Sequence, residues 1–118
     1  GRWIAFFGEN LDAKIDMIEE QEISNLSFQC NLTKGDWIFN AKSVKVLGSN
    51  DGENYEEIHH QDFPIETIAE DGVLSYSVDF EKTNARYVNI IIEPHMCPEG
   101  HSGYGYPAWI FVDELKIN

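Results

Sequence analysis

Basic residues are scarce in this sequence, and the few that it has are unevenly placed. Lysine and arginine total 8 against 21 aspartates and glutamates, which gives a formal net charge of −13. No lysine or arginine lies between Lys45 and Lys82, whereas that interval holds ten acidic residues. Nucleic acids and anionic membranes are therefore not expected as partners, because both need clustered cations. Neutral ligands and cations remain open.

Cysteines and long apolar runs are also few. Two cysteines, Cys30 and Cys97, do not by themselves make a disulfide framework or a structural zinc site. The longest apolar runs, such as "NIII" and "AWIFV", are far shorter than a membrane-spanning helix. The sequence contains no HExxH motif, phosphate-binding loop or nucleophile motif, so catalysis by this chain alone is not expected.

Short β-branched and aromatic segments make up most of the sequence, and turn residues interrupt them every eight to fifteen positions. This pattern is typical of an all-β sandwich or barrel, and 118 residues suit one domain spanning residues 1–118. We therefore predict an antiparallel β-sandwich. Its seven predicted strands are "LDAKIDM" (11–17), "ISNLSFQC" (23–30), "WIFNAKSVKVLGS" (37–49), "YEEIHH" (55–60), "VLSYSVDF" (73–80), "ARYVNIIIE" (85–93) and "AWIFVDELKI" (108–117).

The long loops are expected to meet at one end of the sandwich. If consecutive strands run up and down, residues 1–10, 30–37 and 94–108 converge there. The short turns at 18–22, 48–54 and 81–84 then lie at the opposite end. Binding residues are commonly carried by loops on a rigid scaffold, so the end with the long loops is the candidate functional end.

Two alternatives concern the thiols and imidazoles of these loops. Cys30 and Cys97 are predicted at the same end, so a disulfide remains open, although the apolar surroundings of Cys30 favour a buried free thiol. His95, Cys97, Glu99 and His101 are suitable metal ligands by type, but their spacing is not that of a zinc site. We therefore expect no metal.

Several motifs carry a resemblance to a known family. They are "ISNLSF", "GDWIF", "KSVKVLGSNDGENYEEI", "ARYVNIII" and "CPEGHSGYGYPAWIFVDEL". Together they resemble the coagulation factor 5/8 type C, or discoidin-like, domain, which has a jelly-roll sandwich. The last motif resembles the domain at the C-terminus of bacterial family 20 β-N-acetylhexosaminidases, or chitobiases. Such domains are similar to family 32 carbohydrate-binding modules.

One part of the family pattern has no counterpart in this sequence. The family's first strand and first long loop, which can carry calcium, are missing, so we interpret the chain as an N-terminally truncated fragment of a larger protein. We expect no cofactor in this chain, although the intact domain can hold calcium.

The resemblance implies a non-catalytic carbohydrate-binding module that tethers a glycoside hydrolase to a glycan of the N-acetylglucosamine or galactose type. Aromatic faces pack on the C–H groups of sugar rings, and polar side chains bond the hydroxyls. The loops of the functional end supply both kinds of group. The candidate sugar-binding residues are Tyr104, Tyr106, His101, His95, Glu99, Trp3, Arg2, Asn31, Asp36 and Lys34.

Structural roles compete with ligand binding for several of these aromatic and polar residues. Trp37, Phe39, Trp109 and Phe111 lie at or near strand starts, and we expect them to be core residues rather than sugar platforms. His101, set between glycines and serine, is as well suited to bonding backbone carbonyls of its own loop.

Other readings of the whole chain also remain. The rival hypothesis is a structural brace that packs on the parent catalytic domain and binds no sugar; a third is adhesion to protein or lipid. Asp113 and Glu114 are expected to face opposite ways on a strand, which excludes the paired carboxylates of a glycosidase. The resemblance further implies a monomeric module of a bacterial protein that is periplasmic, outer-surface or secreted.

Overall fold

The computed structural model describes residues 4–118 of the chain. Most of these residues lie in antiparallel strands, and none of them belongs to a helix long and apolar enough to cross a membrane. The predicted all-β antiparallel fold is confirmed. The elements are β1 (Ile4–Phe7), β2 (Leu11–Leu32), a 3-10 turn (Lys34–Asp36), β3 (Ala41–Ser49), β4 (Glu56–Asp62), β5 (Gly72–Pro94) and β6 (Trp109–Ile117).

The six strands form a single sheet in the order β1-β6-β2-β5-β3-β4. The two longest strands, β2 and β5, contain 22 and 23 residues and pair from Leu11–Ile92 to Leu32–Gly72. A straight pair of this length would extend about 70 Å, whereas the longest dimension of the protein is 46 Å. Both strands therefore bend, and the sheet curls into two layers.

Each layer contains one half of β2 and one half of β5. The first layer adds β1 and β6, because β6 pairs with the C-terminal half of β2 and β1 pairs with β6. The second layer adds β3 and β4, because β3 pairs with the C-terminal half of β5. The hydrophobic core lies between the two layers.

Two predicted chain reversals are wrong. Segments 11–17 and 23–30 are halves of β2, and segments 73–80 and 85–93 are halves of β5. The register of β2 against β5 shifts after Asp16, where Ile18 has a left-handed backbone (φ 76°). Such a bulge adds residues to one strand and increases its bend without reversing the chain. At residues 18–22 of β2, a composition typical of turns therefore occurs where the strand bends.

The core follows the alternation expected from the sequence. Leu26, Phe28 and Cys30 are fully buried, and Leu11 begins the inward row of the other half of β2. They meet the inward residues of β3 and β5, including Val46, Ile90 and Ile92. Burial of such a side chain contributes roughly 1.5–3 kcal/mol. The sandwich is therefore held mainly by this apolar layer.

The cysteines belong to two different apolar clusters. Cys30 lies in the main core, where burial raises its pKa to about 12, while Cys97 lies in a smaller cluster beneath the loops. Both are free thiols. The interpretation of Cys30 as a buried free thiol is confirmed, and the disulfide alternative is wrong.

Four connections meet at one end of the sandwich, which we call the loop end. The predicted convergence is confirmed: Phe7 pairs with Trp109, and the Trp109 N–H donates to the Trp37 carbonyl at 2.7 Å. The prediction assumed that consecutive strands run up and down. The connections instead meet at this end because each of them crosses between the two layers. The loop end consists of residues 8–10, 33–40, 63–71 and 95–108.

A small second cluster fixes the loops from below. Leu32, Phe39, Cys97 and Ala108 are buried together, with the partly buried side chains of Trp37, Ile65, Ala69 and Leu74 packed against them. Gly103 is also buried, and a Cβ atom there would lie 2.9 Å from Cys97 Sγ and from the Trp37 ring. Glycine is therefore required by packing at this position.

The substitution Gly103→Ala is expected to lower the free energy of unfolding by about 1–3 kcal/mol, the typical effect of overpacking a filled site. The matched control is Gly35→Ala, because a Cβ at Gly35 meets no atom within 4 Å. Urea denaturation of both variants measures the difference. Equal stabilities would show that the loop is not packed as described.

The hairpin between β3 and β4 lies at the opposite end and is organised by one carboxylate. Asp51 accepts hydrogen bonds from the Glu53 and Asn54 N–H groups at 2.8 Å and from the Asn54 side chain at 2.7 Å. It also meets the Ser49 hydroxyl at 2.9 Å. These bonds, chiefly those from Asn54, hold the pKa of Asp51 well below its usual range.

A lowered carboxyl pKa makes stability depend on pH in a defined direction. The contribution of Asp51 is complete above the unfolded-state pKa of about 3.9 and is lost as the pH falls toward the lower folded-state value. Asp51→Asn should therefore lose less stability than the wild type between pH 5 and pH 3 in urea denaturation.

Glu53→Gln is the control for this experiment, because the Glu53 side chain accepts no hydrogen bond within the described part of the chain. It should keep the wild-type pH dependence. An unchanged slope in Asp51→Asn would contradict the assigned role of Asp51.

Candidate functional site

The segment 95–108 is a tightly wound loop. The N–H groups of His101, Tyr104 and Tyr106 donate to carbonyls three residues earlier, at 2.9–3.1 Å. The N–H of Cys97 donates to the Tyr106 carbonyl at 2.9 Å and closes the loop on itself. The loop therefore has internal hydrogen bonding like that of successive turns, and its shape is set before any ligand arrives.

His101 joins this loop to the segment 33–40. Its Nε2 lies 2.7 Å from the Lys34 carbonyl, and its Nδ1 lies 2.9 Å from the Gly103 nitrogen. Nε2 donates and Nδ1 accepts, which is the arrangement of a neutral imidazole. The ring also packs edge-on against Phe39, with centroids 5.3 Å apart. Both nitrogens are used within the protein, so His101 positions the loop.

Lys34 joins the segment 33–40 to the segment 63–71. Its ammonium group lies 2.9 Å from the Asp71 carboxylate and donates to the Ala69 carbonyl. The Lys34 N–H donates to the same carboxylate at 3.2 Å. These bonds from Lys34 lower the pKa of Asp71. The Lys34 charge is thus already neutralised by a protein partner.

Two tyrosines are the exposed aromatic groups of the wound loop. The exposed fractions of Tyr104 and Tyr106 are 62% and 61%. The Tyr106 ring centroid lies 6.0 Å from that of Trp37, with the planes tilted by 32°. Tyr106 and the partly buried Trp37 thus form a continuous aromatic patch, and Tyr104, two residues earlier in the same loop, exposes a second ring.

A shallow concavity lies where the segments 33–40, 63–71 and 95–108 meet. Its volume is about 190 Å³, and Glu99 and Thr67 are exposed side chains on its wall. Asp36 is exposed at the end of the 3-10 turn. The residues that line the concavity are Lys34, Phe39, Thr67, Pro98, Glu99, Gly100 and His101.

Thr67 and its segment were missed by sequence reasoning. From the sequence, only residues 1–10, 30–37 and 94–108 are predicted at this end, yet β4 ends opposite Ser43, near the start of β3. An antiparallel hairpin returns the chain to the end from which it started, so residues 63–71 must begin at the loop end. The Asp51–Gly52 turn was the signal that could have placed them there.

Four of the predicted binding residues are partly buried or lie outside the described residues. The His95 ring is partly buried near the backbone of Ala41 and Phe63, and burial lowers its pKa; its Nε2 has no partner among the described residues. Asn31 accepts a hydrogen bond from the Thr33 hydroxyl at 2.6 Å. Arg2 and Trp3 lie outside the described residues.

The prediction that Trp109 and Phe111 are core residues is wrong. On β6 the inward positions are Ile110 and Val112, so the alternation places Trp109 and Phe111 on the outer face. Trp109 is 39% exposed and stacks against Phe7, with ring centroids 4.9 Å apart. Trp37 is only partly buried, whereas for Phe39, which is 1% exposed, the prediction is confirmed.

The prediction that Asp113 and Glu114 face opposite ways is also wrong. Val112 and Leu115 both pack on the core, so neither residue between them points inward. Glu114 has a left-handed backbone (φ 53°), and the register of β6 against β2 shifts there.

Residues 4–118 contain no group of three or more histidine, cysteine, aspartate or glutamate side chains arranged to hold a metal ion.

Sequence comparison gives no assignment: no protein-family model and no curated protein matches the chain. Solved structures do match. The chain is similar to a pectin-binding carbohydrate-binding module, with 15% identity and a TM-score of 0.57 over 98% of this chain and 70% of that one.

Two further structures are similar. A family 32 carbohydrate-binding module of a family 31 glycoside hydrolase from Clostridium perfringens has 15% identity and a TM-score of 0.52, over 94% of this chain and 72% of that one. The C-terminal domain of a chitobiase from Bacteroides fragilis has 25% identity and a TM-score of 0.47, over 92% of this chain.

The chain spans 65% of the length of the chitobiase domain and 70% and 72% of the other two structures. At these identities the likeness concerns architecture. The chain therefore has the antiparallel β-sandwich fold that carbohydrate-binding modules use.

Proposed function

We propose that this chain is a non-catalytic carbohydrate-binding module whose loop end binds glycans. The observation that carries the proposal is the pair of exposed tyrosines, Tyr104 and Tyr106, on a loop that His101 ties to its neighbour. Sugar rings pack their C–H faces on such aromatic surfaces. The fold shared with carbohydrate-binding modules supports the same function.

Preorganisation makes these tyrosines effective despite their small contact area. The loop is closed by its own hydrogen bonds and by the Gly103 packing against Cys97, so little conformational entropy is lost on binding. The surface is shallow and offers few hydrogen bonds, so the affinity of a single site is weak. A tethered module compensates by raising the local concentration of substrate.

The charge at the loop end selects among sugars. The segments 33–40, 63–71 and 95–108 contain no arginine and one lysine, Lys34, whose ammonium group forms an ion pair with Asp71. The exposed carboxylates of Asp36 and Glu99 therefore disfavour uronates and sulfated glycans, and they leave neutral sugars of the N-acetylglucosamine or galactose type. The carboxylates of these segments are Asp36, Glu66, Glu70, Asp71 and Glu99.

The parent protein in this proposal is a secreted or periplasmic bacterial glycoside hydrolase of the β-N-acetylhexosaminidase type. The motif "CPEGHSGYGYPAWIFVDEL" and the solved structures taken from a glycoside hydrolase and a chitobiase support this assignment. The module acts as a monomer that needs no cofactor of its own, and any calcium belongs to the intact domain.

A structural brace against a catalytic domain is the second candidate. Ile68 and Met96 are 94% and 52% exposed in loops of the same end, and an apolar contact with another domain would cover them. A brace needs apolar area at these two positions, whereas sugar binding needs the tyrosine faces. Substitutions can therefore separate the two functions.

Tyr104→Ala and Tyr106→Ala should each weaken binding of a glycan identified on an array by about tenfold, or about 1.4 kcal/mol, because a packing face is removed. Isothermal titration or affinity electrophoresis measures this. Tyr55→Ala is the matched control, because Tyr55 lies in the hairpin at the opposite end, and it should bind as the wild type does.

Three outcomes separate the candidates. Glycan binding that is lost in Tyr104→Ala and Tyr106→Ala but kept in Tyr55→Ala supports the proposal. Absence of binding to every neutral glycan, with wild-type folding, would overturn it. Docking of the catalytic domain that is lost in an Ile68→Ser, Met96→Ser variant would then identify the brace.

His101→Ala should weaken glycan binding by loosening the loop, since the ring bridges Lys34 and Gly103. Amide hydrogen exchange should become faster at Gly103 and Tyr104 and stay unchanged in the hairpin at residues 50–55. Wild-type exchange together with lost binding would instead make His101 a direct ligand contact.

A further inference from the structure

The outer face of the first layer carries an aromatic corner that the loop end does not include. Phe7 of β1 and Trp109 and Phe111 of β6 project from this face, because the residues between them on β6 are buried in the core. The Phe7 and Trp109 ring centroids are 4.9 Å apart, and those of Trp109 and Phe111 are 6.2 Å apart. Phe7 and Trp109 remain 41% and 39% exposed.

Polar side chains continue the same face away from the loop end. Gln29 pairs across the sheet with Ser75 on one side and with Asp113 on the other, and Ser27 pairs with Lys116. Here the face is concave, with a volume of about 440 Å³. We call this the outer groove; its lining residues are Ser27, Phe28, Gln29, Ser75, Tyr76, Ser77, Glu114 and Lys116.

The side chains of the outer groove are available to a ligand. Those of Ser27, Gln29 and Ser75 make no hydrogen bond to any other residue in the described part of the chain. They supply hydroxyl and amide groups that can both donate and accept. Lys116 and Glu114 form an ion pair on the wall of the groove, at 3.7 Å, so these two charges cancel, and Asp113 beside Gln29 adds one negative charge.

We propose that the outer groove and the aromatic corner together form a second binding surface, for a neutral, linear oligosaccharide. A hydroxyl-rich ligand without charge complements unpaired hydroxyl and amide groups in a chain whose net charge is −13. The aromatic corner supplies the packing surface for a sugar ring. A docked protein domain would favour a flat apolar surface over a concave polar one, which makes the glycan the better occupant.

The geometry sets the length of the ligand. Side chains on one face of a strand repeat about every 6.8 Å, and Ser27 and Trp109 lie in the first and last of four rows, which are three repeats apart. These rows are Ser27 with Lys116, Gln29 with Asp113, Phe111 with Ala5, and Trp109 with Phe7. The surface is therefore about 20 Å long, so a single sugar covers only part of it.

The proposal is tested by proton–nitrogen NMR titration with cellohexaose, xylohexaose and N-acetylchitohexaose, each compared with its monosaccharide. At least one hexasaccharide should shift the amides of residues 27–31, 73–77 and 109–116, with an affinity at least about tenfold above that of its monosaccharide. These shifts should persist in the Tyr104→Ala, Tyr106→Ala double variant, since that variant removes only the loop-end site.

Two variants assign the shifts to the proposed surface. Trp109→Ala should weaken hexasaccharide binding about tenfold. Gln29→Ala tests the polar half without touching an aromatic ring, and Ile18→Ala, at an exposed apolar position far along β2, is the control. Hexasaccharide shifts confined to the loop end would overturn this inference and leave the proposed function standing. Shifts at neither surface would overturn both.

Discussion

The pairing of β2 with β5 is the constraint on which the rest of the structure depends. Both strands pass through both layers of the sandwich, so one continuous ladder from Leu11–Ile92 to Leu32–Gly72 fixes how the layers face each other. Because the bends occur at one end, every connection that crosses between the layers is left at the other. The loop end is therefore a consequence of strand length.

The loop end is ordered by a small number of polar links laid over an apolar floor. His101 ties the wound loop to the segment 33–40, and Lys34 ties that segment to 63–71. Gly103 lets the loop lie directly on Trp37 and Cys97. These links use both His101 nitrogens and two of the three hydrogens of the Lys34 ammonium group, and the tyrosine faces and the carboxylates of Asp36 and Glu99 are the exposed groups beside them.

The pattern of short β-branched and aromatic segments between turn residues predicted the fold class, and burial imposes a period of two on the inward row of β2. The pattern could not show that residues 18–22 bend rather than reverse, since bulges and turns favour similar residues. For Trp109 the expectation from residue type was wrong because the neighbouring Ile110 takes the inward position. The polar partners of His101 and Lys34 come from other segments, so no local pattern reveals them.

The most direct test of the central claim is a proton–nitrogen NMR titration of the wild-type protein with N-acetylglucosamine, galactose and N-acetylgalactosamine. Binding at the loop end predicts shifts that cluster in residues 33–40, 63–71 and 95–108, while the hairpin at residues 50–55 stays unchanged. A well-folded sample whose loop-end amides respond to none of these sugars would contradict the account.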